Sequence, residues 1–172
     1  MTSKSFPVHM RFGDIDSYGH ANNVIQLQYF EDARVRLSEM PVQGIDGIDG
    51  GTTFRTLSDA YLTVVGRQEV EYLSQLYYRL DPIYVQLWTS HIGVASYVLN
   101  YRLQERDSTE NLSDADGQSR GVGTVYAVAQ STTVQIDRAS GRPTPLTDQQ
   151  RRFLEFYQDE PVMFRRRPTN GK

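Results

Sequence analysis

Hydrophobic and polar positions along the chain change their spacing, and each change predicts a different element. From residue 6 to residue 12 every second residue is apolar, which is typical of a short strand with one buried face. From residue 24 to residue 40 apolar residues recur every three or four positions, which predicts an amphipathic helix. Asn22 is a suitable N-cap for this helix, and Pro41 predicts its end.

The chain beyond this helix is rich in residues that favour strands. Glycines between residues 44 and 51 interrupt regular structure and predict a loop first. Valine, tyrosine, threonine and leucine then predict four strands, at residues 60–74, 83–92, 96–106 and 122–137. Near the end, Thr147 or Asp148 can cap a short helix that carries Phe153 and Leu154.

The order of these elements predicts an α+β fold. One strand and one long helix are followed by four strands that do not alternate with helices, which disfavours a parallel sheet. A long antiparallel sheet around one central helix joins them with short connections. At 172 residues the chain is expected to form a single domain over 1–172, with a core at about 6–157 and a tail at 158–172.

Composition narrows the classes of function. The formal net charge is −3, so no basic field favours nucleic acid as a partner. There is no cysteine, which excludes disulfides and thiolate catalysis. No apolar run reaches the roughly 18 residues of a membrane helix, and the N-terminal residues lack the apolar stretch of a signal peptide. These features predict a cytoplasmic protein that does not associate with membranes.

Candidate chemistry is concentrated in DIDSYGHANN, residues 14–23. In an extended segment Asp14 and Asp16 would point the same way, with α carbons about 6.6 Å apart. Such a pair can serve glycoside hydrolysis or a phosphatase, and with His20 it can ligate a metal ion. The order of strands and helices disfavours a phosphatase fold. The spacing of Asp14, Asp16 and His20 is common in sequences and is weak evidence for a metal site.

The helix that follows offers another interpretation of the same stretch. Its first turn has unpaired backbone N–H groups and the positive end of the helix dipole, which can hold a carbonyl oxygen. Gly19 allows a tight turn into the helix, and Asp16 can act as a nucleophile or as a base for water. Alternatively, the aspartates only cap turns and an asparagine only caps the helix. The residues alone leave both alternatives open.

The motif D-I-D-S-Y-G-H-A-N-N-V, followed by L-Q-Y-F-E-D-A-R, resembles the signature of hotdog-fold acyl-CoA thioesterases. It is most similar to the 4-hydroxybenzoyl-CoA thioesterase-like branch, and GRPTPLTDQQRRFL resembles the ending of that branch. The resemblance implies a hotdog fold, in which the sheet wraps the long helix. It also implies hydrolysis of an acyl-CoA to a free acid and CoA, and a homodimer or tetramer with active sites between subunits. No cofactor or metal is implied, since CoA is part of the substrate.

The resemblance also implies roles for individual residues. Asp16 takes the catalytic position, and the backbone N–H of Asn23 takes the position that polarises the carbonyl. Asp14 is expected to support the loop. The other expected substrate-binding positions lie between these residues: Tyr18, Gly19, His20 and Asn22.

Two further functions stay open at this stage. Some hotdog domains bind acyl-CoA without cleaving it, although the intact Asp16 argues against this function. An acyl carrier protein could replace CoA, although the acidic chain disfavours an acidic carrier. The loop at 44–53 and the polar segment at 107–121 are long for this family and could cover the acyl pocket. Three arginines are candidates for binding the CoA phosphates, on the basis of their charge alone: Arg67, Arg79 and Arg102.

Overall fold

A computed structural model of the protein describes residues 3–106 and 123–165. The polar segment predicted at residues 107–121 lies outside these ranges, as does the end of the tail from residue 166. The described part contains one five-stranded sheet in which all neighbouring strands are antiparallel, in the order β1-β3-β4-β5-β2. Its strands are β1 (Lys4–Val8), β2 (Tyr61–Tyr72), β3 (Ile83–Ile92), β4 (Ser96–Gln104) and β5 (Val125–Asp137).

Helices occupy three positions in the described ranges: α1 (Asn23–Glu39), α2 (Phe54–Leu57) and α3 (Asp148–Phe156). The predicted cap of α1 is confirmed, because the side chain of Asn22 accepts a 2.9 Å hydrogen bond from the Val24 N–H. Thr147 caps α3 and forms a reciprocal capping box with Gln150. The one-turn helix α2 was not predicted, since its four residues are too few to show a periodicity.

One face of the sheet packs on α1, and this contact forms the main core. The ring of Phe30 on α1 lies 5.2 Å from the ring of Tyr101 on β4, and both side chains are fully buried. Ile83, Val85 and Leu87 of β3 bury their side chains in the same core, as alternation along a strand requires. This arrangement confirms the α+β hotdog fold, with a long helix against an antiparallel sheet.

The first strand is shorter than the sequence predicted. β1 pairs with β3 only as far as Val8 opposite Ile83, and the prediction of a strand to residue 12 is wrong in its second half. Beyond this point the chain leaves the sheet edge and forms a single 3-10 turn over Phe12–Asp14. Phe12 is therefore 80% exposed, whereas alternation had placed it on the buried face.

The glycine-rich loop is a loop as predicted, and it is fixed to the rest of the molecule. Ile45 and Ile48 bury their side chains in the main core. A guanidinium nitrogen of Arg152, on α3, donates a 3.1 Å hydrogen bond to the carbonyl oxygen of Asp46. Gly47 has a φ of +77°, and a Cβ at this position would lie 2.2 Å from the same guanidinium. The guanidinium is the end of a flexible side chain, so the positive φ is the main reason for glycine at this position.

The described part of the tail crosses the outer face of the sheet, opposite α1. The indole N–H of Trp88 donates to the carbonyl oxygen of Glu160 at 2.7 Å, and the Val162 N–H donates to the side chain of Asn100 at 3.0 Å. At its far end the Arg165 N–H donates to the carboxylate of Glu71 on β2 at 2.8 Å. The tail therefore ties β3, β4 and β2 together.

Candidate functional site

The chain between Asp14 and Asn22 folds back on itself as a short hairpin. The Asn22 N–H donates to the carbonyl oxygen of Asp14, and the Asp16 N–H donates to the carbonyl oxygen of His20, both at 2.9 Å. At the tip, Gly19 has a φ of +83° and its N–H donates to the carbonyl oxygen of Asp16. Such a φ is readily adopted only by glycine. The hairpin delivers the chain directly into the first turn of α1.

Asp16 lies near the tip of this hairpin and is partly exposed. Its Oδ1 accepts hydrogen bonds from the backbone N–H groups of Tyr18 at 2.8 Å and His20 at 3.3 Å. Its Oδ2 accepts none from the described residues. One oxygen therefore caps the turn and fixes the carboxylate, while the other can reach a substrate. The capping role and the catalytic role, which the residues alone left open, are compatible in this geometry.

The start of α1 presents free N–H donors beside the hairpin. The N–H groups of Asn22 and Val24 are paired with acceptors of the loop and cap. The N–H groups of Asn23 and Ile25 have no acceptor among residues 3–106 and 123–165, as expected in a first helical turn. Asn23 is exposed, and its N–H lies at the positive end of the helix dipole, where a donor can stabilise a carbonyl oxygen.

Asp14 has a different environment from Asp16. Its carboxylate is buried and accepts hydrogen bonds from the Arg11 backbone at 2.8 Å and from the Tyr29 hydroxyl at 2.7 Å. An ion pair with the Arg11 guanidinium completes its contacts. Burial alone would raise the pKa of Asp14, but these hydrogen bonds and the charge of Arg11 hold it below its ordinary value. Burial and the neighbouring Asp14 raise the pKa of Tyr29.

The two aspartates do not form a pair with a common direction. Asp14 ends the 3-10 turn and points inward to Tyr29, whereas Asp16 follows in the exposed hairpin. The expectation that Asp14 and Asp16 point the same way in an extended segment is therefore wrong, because the 3-10 turn directs the Asp14 carboxylate away from Asp16. No group of three or more potential metal ligands forms in the described ranges, so the set with His20 is not brought together.

A second loop, between β2 and β3, holds the hairpin in place. The Ala21 N–H donates a 2.7 Å hydrogen bond to the carbonyl oxygen of Leu76. The imidazole of His20 packs against the ring of Tyr77, with centroids 4.9 Å apart. Tyr18, by contrast, is 82% exposed at the hairpin tip. All of the predicted site residues therefore share one hairpin and one helix start.

Besides the second loop, sequence reasoning missed Tyr72 in this region. Tyr72, the last residue of β2, donates a 3.0 Å hydrogen bond from its hydroxyl to the carbonyl oxygen of Asn23. The two residues are 49 positions apart, so no local pattern connects them. Only the pairing of the sheet, which brings the end of β2 to the start of α1, reveals this contact.

The arginines considered for the CoA phosphates have other contacts. Arg67 pairs with Glu69 at 2.9 Å, and Arg79 pairs with Glu105. Arg102 lies over the ring of Trp88 on the outer face of the sheet, 5.7 Å from its centroid. The structure therefore does not gather these three side chains at the start of α1.

None of the helices in residues 3–106 and 123–165 is long and apolar enough to cross a membrane.

Comparison with known proteins places the chain among related sequences. A family model described as "Thioesterase-like superfamily" matches residues 10–154, a range that includes the hairpin, α1 and the whole sheet from β2 onward. The uncharacterized protein YsmA of Bacillus subtilis (strain 168) is 30% identical over 156 residues, which cover 89% of this chain and 87% of that protein.

Solved structures share the same architecture. A predicted thioesterase from Bacillus stearothermophilus is 21% identical with a TM-score of 0.67, over 94% of this chain and 100% of the other. A thioesterase from Thermus thermophilus, solved with coenzyme A and Zn, is 24% identical with a TM-score of 0.57, over 88% of this chain and 91% of the other. At these identities the likeness concerns the fold.

Proposed function

Because the chain belongs to the thioesterase-like superfamily, we propose that it hydrolyses acyl-CoA thioesters to a free carboxylic acid and CoA. One observation supports this proposal most strongly. The hairpin fixes the Asp16 carboxylate through one oxygen, and the chain then enters α1 with the Asn23 N–H unpaired among the described residues. A carboxylate and a helix N-terminal donor are two groups that can carry out acyl transfer without serine or cysteine.

In the proposed mechanism the thioester carbonyl oxygen accepts a hydrogen bond from the Asn23 N–H. The helix dipole stabilises the negative charge that develops on this oxygen as the carbonyl carbon is attacked. Asp16 either attacks the carbon itself or removes a proton from a water molecule that attacks it. The carbon–sulfur bond then breaks, and the CoA thiolate leaves and takes up a proton. If Asp16 has attacked, a water molecule then cleaves the mixed anhydride left on its carboxylate, which frees the acid and restores Asp16. In either route one water molecule is consumed and the acid and CoA are released.

CoA as the carrier of the acyl group is part of the proposal. The Thermus thermophilus thioesterase, which has the same fold, was solved with coenzyme A. The motif of residues 14–24 also resembles that of the 4-hydroxybenzoyl-CoA thioesterase-like branch, and the proposal extends to membership of that branch. The acyl group is left open, because the aromatic residues Tyr29 and Phe30 near the helix start are buried in the core.

Self-association is also part of the proposal. Strand β2 is a 12-residue edge strand, and Leu62, Val64 and Val65 on it are about 40% exposed. A long edge with apolar side chains is a surface that pairs with another chain. We therefore propose a dimer or tetramer in which a second copy covers β2, the strand whose last residue, Tyr72, contacts Asn23.

The experiment that tests the proposed function is hydrolysis of a panel of acyl-CoA thioesters and one acyl carrier protein thioester. We expect turnover of at least one acyl-CoA, and we expect Asp16→Asn to lower kcat by about 10²-fold or more, comparable to loss of a main catalytic interaction. The asparagine keeps an Oδ1 acceptor for the hairpin N–H groups, so the loop should persist. Asp49→Asn, in the glycine-rich loop, is the matched control.

Other outcomes would contradict parts of the proposal. Near-normal turnover by a folded Asp16→Asn variant would exclude the catalytic role of Asp16. Tight binding of acyl-CoA without turnover by the unmodified protein would favour a non-catalytic binding module. Turnover of only the carrier protein thioester would make the protein an acyl carrier protein thioesterase.

A further inference from the structure

A cavity of about 380 Å³ lies between the outer face of the sheet and the tail, and we call it the outer cavity. Its volume is at the lower end of the range of ligand pockets, which is about 300–1,000 Å³. None of the described residues that line it belongs to the hairpin of residues 14–22 or to α1, so it is separate from the candidate site. Most of its wall is apolar, and the apolar residues used below are Trp88, Val125, Val128 and Val162.

Arg102, on β4, brings a positive charge to the outer cavity. Its side chain is half-buried, and its guanidinium lies over the ring of Trp88, 5.7 Å from the centroid. This guanidinium has no hydrogen-bond acceptor and no ion-pair partner within residues 3–106 and 123–165. Its N–H donors are therefore available to an occupant of the cavity.

The lack of an acceptor distinguishes Arg102 from the other half-buried arginines of the described ranges. Each of those donates to a carboxylate or to a backbone carbonyl oxygen: Arg34, Arg79 and Arg151. A charged donor that is withdrawn from water without an acceptor costs free energy. The surroundings of Arg102 therefore favour an occupant that supplies an anionic acceptor.

Two carboxylates of the tail, those of Asp159 and Glu160, also line the outer cavity. The Oδ1 of Asp159 accepts a 2.8 Å hydrogen bond from the Glu160 N–H, and the Glu160 side chain is exposed. Neither carboxylate forms an ion pair with Arg102. Their negative charges oppose the entry of an ion with several negative charges, such as a phosphate ester. A ligand with a single negative charge, held at Arg102, meets less repulsion.

We infer that the outer cavity binds a small amphipathic monocarboxylate, a molecule with one carboxylate and an apolar body. The carboxylate accepts two parallel hydrogen bonds from the planar guanidinium of Arg102, a geometry that suits arginine and carboxylate groups. The apolar body lies against Val125, Val128 and Val162, where it is removed from water. The inference is independent of the proposed hydrolysis, because the site shares no residue with Asp16 or Asn23.

Three ligands with the same alkyl chain test this inference on the full chain by calorimetry: octanoate, octanol and octylammonium. We expect the Kd for octanoate to be at least about tenfold below that for octanol, since one charge-assisted hydrogen-bonded pair is gained. Trp88, the single tryptophan of the chain, lines the cavity and reports where the ligand binds. Bromine quenches tryptophan fluorescence on contact, so ω-bromooctanoate should quench Trp88 with the Kd measured by calorimetry.

Variants of Arg102 show whether its guanidinium holds the carboxylate. In Arg102→Gln we expect the Kd for octanoate to rise about tenfold and the Kd for octanol to change by under about twofold. Arg102→Lys keeps the charge and should lose less affinity for octanoate than Arg102→Gln. Arg67→Gln, which removes an exposed arginine of β2, is the matched control and should leave both values unchanged.

Several results would overturn the inference. They are the absence of octanoate binding, equal Kd values for octanoate and octanol, and unchanged octanoate binding in Arg102→Gln. Binding without quenching by ω-bromooctanoate would place the carboxylate elsewhere, and tightest binding of octylammonium would assign the cavity to a cation held by Asp159 and Glu160. A protein that hydrolyses no thioester but gives the expected binding would refute only the proposed hydrolysis.

Discussion

The hydroxyl of Tyr72, at the end of the edge strand β2, donates a hydrogen bond to the carbonyl oxygen of Asn23 at 3.0 Å. This contact fixes the peptide that begins α1 relative to the sheet. Since the Asn23 N–H is the proposed donor to the substrate carbonyl, Tyr72 acts as a positioning residue. Burial raises the pKa of the Tyr72 hydroxyl, so it stays protonated and able to donate at neutral pH.

Tyr72→Phe tests this relationship. One neutral hydrogen bond contributes a net free energy of about 0.5–1.5 kcal/mol. Its loss should therefore lower kcat roughly two- to tenfold while KM changes little. Steady-state kinetics with a cleaved acyl-CoA provide the measurement. Tyr61→Phe, at the opposite end of β2, is the matched control and should leave kcat close to that of the unmodified protein. An equal loss in both variants would show that the effect comes from the strand rather than from Asn23.

The buried Asp14 predicts a pH dependence of stability. Its pKa in the folded protein lies below the ordinary value of 3.8, so its charged form stabilises the fold above that pH. The stabilisation is lost as the pH falls through the lower folded-state pKa. We expect Asp14→Asn to lower the free energy of unfolding by about 1–3 kcal/mol at pH 7. Urea unfolding between pH 7 and pH 3 should show this difference shrinking below about pH 4. A difference that stays constant over this range would contradict the assignment.

A side chain at position 47 should lower the stability of the protein. Its φ of +77° disfavours any other residue, and a Cβ would meet the Arg152 guanidinium at 2.2 Å. We expect Gly47→Ala to destabilise the protein by about 1–2 kcal/mol in urea unfolding. Gly50→Ala is the control in the same loop, because its φ is not positive and nothing lies within 4 Å of its added Cβ. Equal stabilities of the two variants would show that the positive φ at position 47 does not disfavour alanine, which would contradict this prediction.

Charged side chains introduced on the exposed edge strand β2 should prevent self-association. Lysines protect natural edge strands from pairing, so Leu62→Lys combined with Val64→Lys should convert an oligomer to a monomer. Sedimentation equilibrium measures the mass, and we expect activity to fall with dissociation because the proposed sites lie beside β2. Val94→Lys, on the exposed β3–β4 hairpin, is the control. A monomeric unmodified protein would contradict the proposed self-association.

Local features of the sequence were sufficient for most of the fold. The helical period and the Asn22 cap predicted α1 within one residue at each end, and β3 was predicted with its observed ends at residues 83 and 92. These elements follow from side-chain periodicity and capping, which depend on near neighbours. The hotdog arrangement, in turn, followed from the resemblance and from the order of elements.

Contacts between distant segments were not predictable in the same way. The inward direction of Asp14 depends on a single 3-10 turn and on Tyr29, 15 residues away. The contact of Tyr72 with Asn23, and the path of the tail over Trp88, depend on strand pairing. A periodic pattern shows which face of an element is buried, but it does not show which partner covers that face.

The hairpin of residues 14–22 bears on how the substrate preference of this protein could change during evolution. Asp16 and Asn23 are separated by only six residues of one uninterrupted segment, and hydrogen bonds within that segment define its shape. The two proposed catalytic groups therefore lie in one continuous segment between the first strand and the helix. If the proposed roles hold, residues elsewhere in the sheet can be replaced to fit a different acyl group while the Asp16 carboxylate and the Asn23 N–H keep their relative positions.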